Sequence, residues 1–227
     1  MWVFICTEIL MFGGLFVAYG IFRSLEPDVF TMAHHHLDRI MGAVNTVVLL
    51  FSSLTAALAV REAQLGNQKK TSLYLVITIA CAAIFLVVKY FEYTHKFHDG
   101  LLPGRCFGHP WFAGSPDGHG GFSGSSTPWY MHILQGDGCF DRTMARPLQV
   151  LDLPARGNMF FGLYFMMTGL HGVHVVVGMA ILTWVLWRNQ KGHFSPEYFT
   201  AVEIGALYWH LVDLVWIYLF PLLYLVG

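Results

Sequence analysis

The sequence predicts an all-α integral membrane protein, a bundle of five transmembrane helices with one long extracytoplasmic loop. Of its 227 residues, 56% are hydrophobic and only 12% are charged, whereas soluble domains carry about 25% charged residues. Five apolar segments each reach the roughly 20 residues that cross a bilayer. Because the backbone in lipid must satisfy its own hydrogen bonds, segments of this length favour helices.

The helices are predicted at about 1–22, 40–61, 72–94, 157–187 and 200–226, within a single transmembrane domain covering 1–227. The first segment carries one charge, Glu8, and the third ends in Lys89 and Glu92. The connection 95–156 is rich in Gly, Pro, Ser and His and is too polar to span, so we expect a cap over the helices. No basic region precedes the first apolar run, so no cleavable signal peptide is expected.

The short connections differ in their positive charge, which predicts the orientation. The 23–38 connection contributes Arg23, while 61–70 and 188–197 hold the larger basic set of Arg61, Lys69, Lys70, Arg188 and Lys191. We therefore expect these two basic connections to face the cytoplasm. The loop 95–156 would then lie in an oxidising compartment, where Cys106 and Cys139 either form a disulfide or remain free thiols. A net charge of −1 without a basic run argues against a nucleic-acid partner.

Glu8 lies about 10 Å into the first helix, at about 1.5 Å per residue. A lone carboxyl group facing lipid is costly, so Glu8 is expected to face protein or water. Two interpretations remain open. The carboxyl group is either a proton-related site or a neutral group that hydrogen-bonds a neighbouring helix for packing.

Five further ionisable residues lie in the last two apolar segments. His171 and His174 are three residues apart and share a helix face, and the last segment carries a polar stripe of Glu203, His210 and Asp213. We expect the two faces to meet, with the histidines donating to the carboxylates. Such a set indicates either a hydrogen-bond network that orders the bundle or a haem or metal site.

Two other groups are given simpler interpretations. The run His34-His35-His36 is predicted outside the membrane, where it cannot share a metal site with the membrane-buried histidines, and we expect a solvated loop. Lys89 and Glu92 are one turn apart and are expected to form an intrahelical ion pair.

Several stretches together resemble one family, subunit III of the haem-copper terminal oxidases (cytochrome c oxidase subunit III). They are FICTE (4–8), NTVVLLFSS (45–53), TGLHGVHV (168–175) and YWHLVDLVW (208–216), with further likeness at Glu92-Tyr93 and Phe160-Phe161. The last two long stretches are the most specific. The resemblance is to a short, five-helix bacterial form, since the two N-terminal helices of longer members are absent. The connection 95–156 departs from the family by its length.

The resemblance implies a non-catalytic subunit that has no redox centre of its own, with haem and copper in partner subunits. It implies packing on oxidase subunits I and II in a bacterial inner membrane, within a proton-translocating complex that reduces O2 to water during aerobic respiration. A lipid cleft holding phospholipid, support of proton uptake, and sustained turnover are also implied. Glu8 matches the family's carbodiimide-reactive carboxylate, and Glu203 matches another carboxylate of the cytoplasmic half.

We also expect the first two helices to lie on one side of the lipid cleft or to border it, with the other three opposite. Three alternatives remain. The chain could be the related accessory subunit of a quinol oxidase or of a nitric oxide reductase. It could be a b-type cytochrome anchor that uses His210 with His171 or His174. It could also be a scaffold whose long loop is the docking surface. The oxidase interpretation also allows the cytochrome subunits of a respiratory supercomplex as partners.

Overall fold

The computed structural model describes residues 2–34, 37, 39–98, 116–117, 121–122, 157–192, 194 and 198–225. The helices run, in chain order, α1 Trp2–Leu25, α2 Pro27–His34, α3 Arg39–Gln64, α4 Gln68–His98, α5 Gly157–Gln190 and α6 Thr200–Phe220. A π-helical turn, Pro221–Leu225, continues α6. Two strands of two residues each, β1 (Pro116–Asp117) and β2 (Gly121–Phe122), pair in antiparallel orientation.

In the part of the chain that the structure describes, five helices are long and apolar enough to cross a membrane: α1, α3, α4, α5 and α6. The predicted all-α class and the number of spanning helices are therefore confirmed. Helix α4 extends to His98, four residues beyond the predicted end at 94, and α5 extends to Gln190.

The predicted loop 23–38 was wrong in part, because Pro27–His34 forms the short helix α2. Pro27 occupies the first position, where the missing N–H is not needed, and Asp28 favours the same end through the helix dipole. The Phe30 ring packs edge-on against Tyr19 and Phe160, with centroids 5.1 and 5.2 Å apart. Burial of this one side chain ties α2 to the bundle.

Two helices, α3 and α5, are each followed by a turn that contains a glycine with positive φ. Gly66 (φ 75°) follows α3 and Gly192 (φ 74°) follows α5. A residue in this left-handed conformation commonly ends a helix, and glycine adopts it without a steric penalty. The N–H of Gly66 donates to the Ala63 carbonyl at 3.1 Å, so the turn satisfies one terminal carbonyl of α3.

Helices α3, α4, α5 and α6 form a four-helix unit in which each helix contacts two of the others. Small residues and aromatic rings make its closest contacts. A Cβ atom added to Gly178 on α5 would lie 2.9 Å from the Trp209 ring on α6. A Cβ atom on Gly42 of α3 would lie 2.9 Å from Phe220. The missing side chains therefore allow the helices to approach closely.

Helix α1 lies at the edge of this unit and contacts α2, α5 and α6. Among its described side chains, Phe12 and Tyr19 are buried. The Tyr19 hydroxyl donates to the Leu222 carbonyl at 3.0 Å, and the Phe4 ring stacks on Tyr208 with centroids 5.8 Å apart.

The expected grouping of the first two spanning helices on one side of a cleft was wrong. Helix α3 packs mainly against α4 and α6, because its small and polar residues fit between the aromatic side chains of α6. The five spanning helices are therefore divided into α1 and a unit of four.

Candidate functional site

Glu8 of α1 and His174 of α5 form a carboxyl–imidazole contact between two membrane-spanning helices. The carboxylate Oε2 lies 2.9 Å from the imidazole Nε2, and the side chains are 13% and 16% exposed, respectively. The atoms are close but are not aligned as a hydrogen bond, and Oε2 has no other polar partner among the described residues. The predicted need of Glu8 for a partner is thus met by a histidine.

The contact made by the other imidazole nitrogen, Nδ1, determines the tautomer of His174. Nδ1 lies 2.8 Å from the Leu170 carbonyl oxygen, and a carbonyl only accepts, so Nδ1 carries a hydrogen. A proton placed between the two side chains can lie on either of them: the carboxyl O–H would donate to a neutral Nε2, or an imidazolium N–H would donate to a carboxylate.

An apolar groove of about 370 Å³ opens beside this pair, between α1, α5 and α6. Its lining residues are Phe4, Val173, His174, Val177, Ile181, Ile204 and Tyr208. His174 is the one ionisable imidazole in this lining, and the Tyr208 hydroxyl donates to the His174 carbonyl at 3.3 Å. The groove therefore places an apolar surface directly against His174, one member of the Glu8–His174 pair.

A second ionic group is buried near the carboxyl end of α4. Glu92 accepts from Lys89 at 2.7 Å and from Lys96 at 3.0 Å. The hydroxyls of Tyr164 and Tyr224 also donate to it, at 2.8 and 2.5 Å. The three charged residues are 3–7% exposed. The predicted Lys89–Glu92 pair is confirmed, but it belongs to a larger cluster that joins α4, α5 and the C-terminal turn.

The cluster has an aromatic wall. Lys89 Nζ lies 4.6 Å from the centre of the Trp216 ring, and Lys96 Nζ lies 4.6 Å from that of Tyr164, which are cation–π distances. Sequence reasoning missed the two tyrosines. The spacing of Lys89, Glu92 and Lys96 places all three on one face of α4, and it was the available signal that the charged group is larger than one pair.

The expected meeting of α5 histidines with α6 carboxylates was wrong. His174 contacts Glu8 on α1, and His210 Nδ1 shares a 2.8 Å hydrogen bond with the Ser53 hydroxyl on α3. Glu203 is exposed, whereas Asp213 is buried. The three residues of the polar stripe therefore lie in three different environments, because Glu203 and His210 are about 10 Å apart along the helix axis and Asp213 is rotated by about 60° from His210.

His171 is fully buried between aromatic rings. Its ring centroid lies 5.1 Å from Trp216 and 5.6 Å from Phe85. Neither ring nitrogen has a hydrogen-bond partner within the described ranges. His171 and His174 share a helix yet have different surroundings, since only His174 reaches α1.

A run of hydroxyl and indole contacts joins the remaining helices. Trp209 Nε1 donates to Ser52 at 3.0 Å, and the hydroxyls of Thr55 and Thr78 lie 2.8 Å apart. At the opposite end from the Glu92 cluster, the Asn189 amide donates to Ser72 at 2.8 Å. Such contacts between neighbouring helices stabilise membrane bundles, at about 1 kcal/mol or less each.

The residues predicted as metal, haem or disulfide sites differ in their surroundings and in whether the structure describes them. Within the described residues, no group of three or more His, Cys, Asp and Glu side chains could hold a metal ion. Both nitrogens of His174 already face other groups, as does Nδ1 of His210. Cys106, Cys139, His35 and His36 lie outside the described residues.

Comparison with known proteins gives similarity to one family. The family model for cytochrome c oxidase subunit III matches residues 155–227, which include α5, α6 and the C-terminal turn. A cytochrome c oxidase subunit 3 from Thermostichus vulcanus is 26% identical over 227 residues, covering 98% of this chain and 84% of the relative.

Two further relatives extend the similarity over the whole chain. Cytochrome c oxidase subunit 3 of Synechocystis sp. is 28% identical, covering 98% of this chain and 72% of the relative. Quinol oxidase subunit 3 of Bacillus subtilis is 25% identical, covering 100% of this chain and 85% of the relative. Together, the family match and these relatives show that the chain is similar to subunit III of the haem-copper oxidases.

Proposed function

We propose that the chain is the non-catalytic subunit III of a respiratory haem-copper terminal oxidase in a bacterial inner membrane. It packs on subunits I and II and supports proton uptake and sustained turnover while they reduce O2 to water. Haem and copper belong to the partner subunits. The observation that carries the proton-related part is the Glu8–His174 contact at 2.9 Å.

The pair suits proton exchange because it holds one proton in either of two arrangements. Nδ1 of His174 is occupied by the Leu170 carbonyl, so each proton that enters or leaves passes through Nε2 or the Glu8 carboxyl group. Both side chains retain some exposure, unlike those of the Glu92 cluster. In the predicted orientation, Glu8 lies in the cytoplasmic half, where an oxidase takes up protons.

The apolar groove beside the pair supports a second part of the proposal, which is phospholipid binding. Its lining is almost entirely aliphatic and aromatic, so it suits an acyl chain. A lipid seated there would separate the Glu8–His174 pair from other membrane components and would limit the routes by which water reaches it.

The test is the variant Glu8→Gln in the assembled oxidase. Glutamine keeps the shape and can donate to Nε2, but it cannot release a proton. We expect intact assembly with a shorter turnover lifetime or slower proton uptake. The control is Glu62→Gln, which removes a carboxylate at the end of α3, away from the pair. Inactivation kinetics equal to those of the unchanged oxidase would contradict the proton-related role.

Two other functions are tested by a mild-detergent pull-down from native membranes. The Bacillus subtilis relative belongs to a quinol oxidase, so recovery of subunit I without a cytochrome c-binding copper subunit would favour a quinol donor. Additional cytochrome subunits would indicate a supercomplex. Recovery without a haem-copper partner, with haem on this chain that is lost in His210→Ala, would favour the b-type cytochrome anchor.

A further inference from the structure

The two halves of α1 are held on the four-helix unit in different ways. In the second half, Tyr19 is buried, and its hydroxyl donates to the backbone carbonyl of Leu222 at 3.0 Å. Its ring also packs edge-on against Phe30 of α2, with centroids 5.1 Å apart. The π-helical turn that contains Leu222 is itself fixed, because the Tyr224 hydroxyl bonds Glu92. The second half of α1 is therefore anchored to the backbone of a fixed turn.

The first half, Trp2–Phe12, is held by contacts between side chains. Before Phe12, none of its described side chains is buried. The Phe4 ring stacks on Tyr208 of α6, with centroids 5.8 Å apart. The Phe12 ring lies edge-on to the imidazole of His174 on α5, with centroids 5.5 Å apart. This half therefore rests on the surface of α5 and α6.

The surrounding lipid makes the apolar part of this hold weak. Lipid tails are about as apolar as these side chains, so packing one apolar helix face against another gains little in a bilayer. Polar contacts then decide how firmly the helix is held. Within the described residues, the Glu8–His174 contact at 2.9 Å is the one close polar contact that joins the first half of α1 to another helix.

The apolar groove of about 370 Å³ lies beside this same half of α1. Phe4 lines it from α1, Ile181 and His174 from α5, and Ile204 and Tyr208 from α6. An outward movement of the first half would carry Phe4 away from the other lining residues. Such a movement would widen the groove and break the carboxyl–imidazole contact together.

We propose that Trp2–Phe12 is a hinged lid on this groove, which the Glu8–His174 contact holds closed and which pivots near Tyr19. When the contact breaks, the first half of α1 moves into the lipid and the groove opens sideways, while the second half stays docked. Hinge motions of this kind occur on timescales of μs to ms. The lid is a property of the fold and does not depend on the oxidase function.

Double electron–electron resonance on the full chain in lipid nanodiscs measures the two halves separately. Labels at Cys6 and at Val176→Cys report the distance from the first half to α5. Labels at Ile21→Cys and Met159→Cys report the distance from the second half to α5, and all four positions are exposed. The other native cysteines are replaced by serine. We expect two distances, closed and open, for the first pair and a single distance for the second.

Variants at the contact should change the open population. Glu8→Ala removes the carboxyl group, and we expect the open population to rise about threefold, as for loss of an average hydrogen bond between membrane helices. His174→Ala breaks the same contact from α5 and should give a similar rise. Glu8→Gln keeps a hydrogen-bonding side chain and should give a smaller one, which separates the lid from the proton-related role that both Glu8 variants lose.

The matched control is Thr7→Ala, because the Thr7 hydroxyl donates to the Phe4 carbonyl within α1 at 2.7 Å. It should leave both distances unchanged. Unchanged first-pair distances in Glu8→Ala and His174→Ala would overturn the proposal. Equal lengthening of both pairs would also overturn it, since α1 would then leave as one body.

The pivot has its own test. Tyr19→Phe keeps the ring and loses only the hydroxyl that bonds the Leu222 carbonyl. We expect this variant to broaden the second-pair distance, because it removes the bond to the π-helical turn. A second-pair distance as narrow as in the unchanged chain would overturn the placement of the pivot at Tyr19.

Discussion

At the residue scale, Glu92 is a buried carboxylate surrounded by four hydrogen-bond donors. It accepts hydrogen bonds from two lysines and two tyrosines while remaining 3% exposed. Burying charges is costly, and the cost is offset only when each charge has close, well-directed partners. Removing the one carboxylate would leave Lys89 and Lys96 without the partner they share.

Glu92→Gln is therefore expected to lower the free energy of unfolding by about 3–5 kcal/mol. The measurement is thermal or denaturant unfolding of the purified chain in detergent. Lys70→Gln is the control, because Lys70 is 63% exposed and its 3.8 Å contact with Glu62 is a surface pair. Such pairs contribute about 1 kcal/mol or less. Equal stability losses in the two variants would contradict a structural role for Glu92.

The tautomer of His174 gives a second prediction at this scale. Nitrogen-15 NMR should find Nδ1 protonated, because the Leu170 carbonyl lies 2.8 Å away. Glu8→Gln should leave this Nδ1 proton in place while changing the Nε2 signal. A deprotonated Nδ1 would contradict the proton-sharing geometry of the pair.

At the element scale, the approach of α5 to α6 depends on one glycine. An added Cβ atom on Gly178 would lie 2.9–3.0 Å from two atoms of the Trp209 ring, which is fully buried. The ring donates to Ser52 and is therefore held in place. Gly172, on the same helix, has open space around its Cβ position.

Gly178→Ala is expected to reduce the free energy of unfolding by about 1–3 kcal/mol through overpacking. Gly172→Ala should be neutral or should gain up to about 1 kcal/mol, since alanine favours helix. Unfolding of the two single variants, compared side by side, measures the difference. A stabilising Gly178→Ala would mean that the helices can separate without loss.

The elements also differ in how far the sequence could predict them. The long helices follow from apolar length alone. Helix α2 has only eight residues, too few for a periodic pattern, so its Pro27 was interpreted as part of a loop. Its formation depends on tertiary burial of Phe30, which local sequence does not reveal.

The side-chain contacts between helices were less predictable from the sequence than the helices themselves. Spacing shows that His171 and His174 share a face, but it does not identify the helix opposite. The partner of His174 lies on α1, far away in sequence, and the Tyr164 and Tyr224 contacts to Glu92 span 72 and 132 residues. Sequence spacing thus predicted the polar residues and one local pair, while tertiary packing determined the others.

At the scale of the whole molecule, α4 and α5 are held together by described residues at both ends. Tyr93 and Thr168 hydroxyls lie 2.6 Å apart near one end, and Asn189 reaches Ser72 near the other. Replacing 101–149 with a short flexible linker should therefore leave the helix packing unchanged.

The measurement for this loop variant has two parts. The unfolding temperature should stay close to that of the full chain, while recovery of partner subunits by pull-down should fall if the loop is a docking surface. Unchanged partner recovery would reject the scaffold role of the loop. Loss of folding would contradict the independence of the helices.

Helix α1 contacts segments that are synthesised much later than α1 itself, and this has a consequence for biosynthesis. The Tyr19 hydroxyl bonds a carbonyl 203 residues further along the chain, and Glu8 also waits for α5. At about 5–20 residues per second, the 166 residues from Glu8 to His174 take roughly 8 to 33 s to synthesise. Throughout that interval Glu8 lacks its partner on α5, so we expect the insertion machinery or lipid to shelter its carboxyl group until α5 has been made.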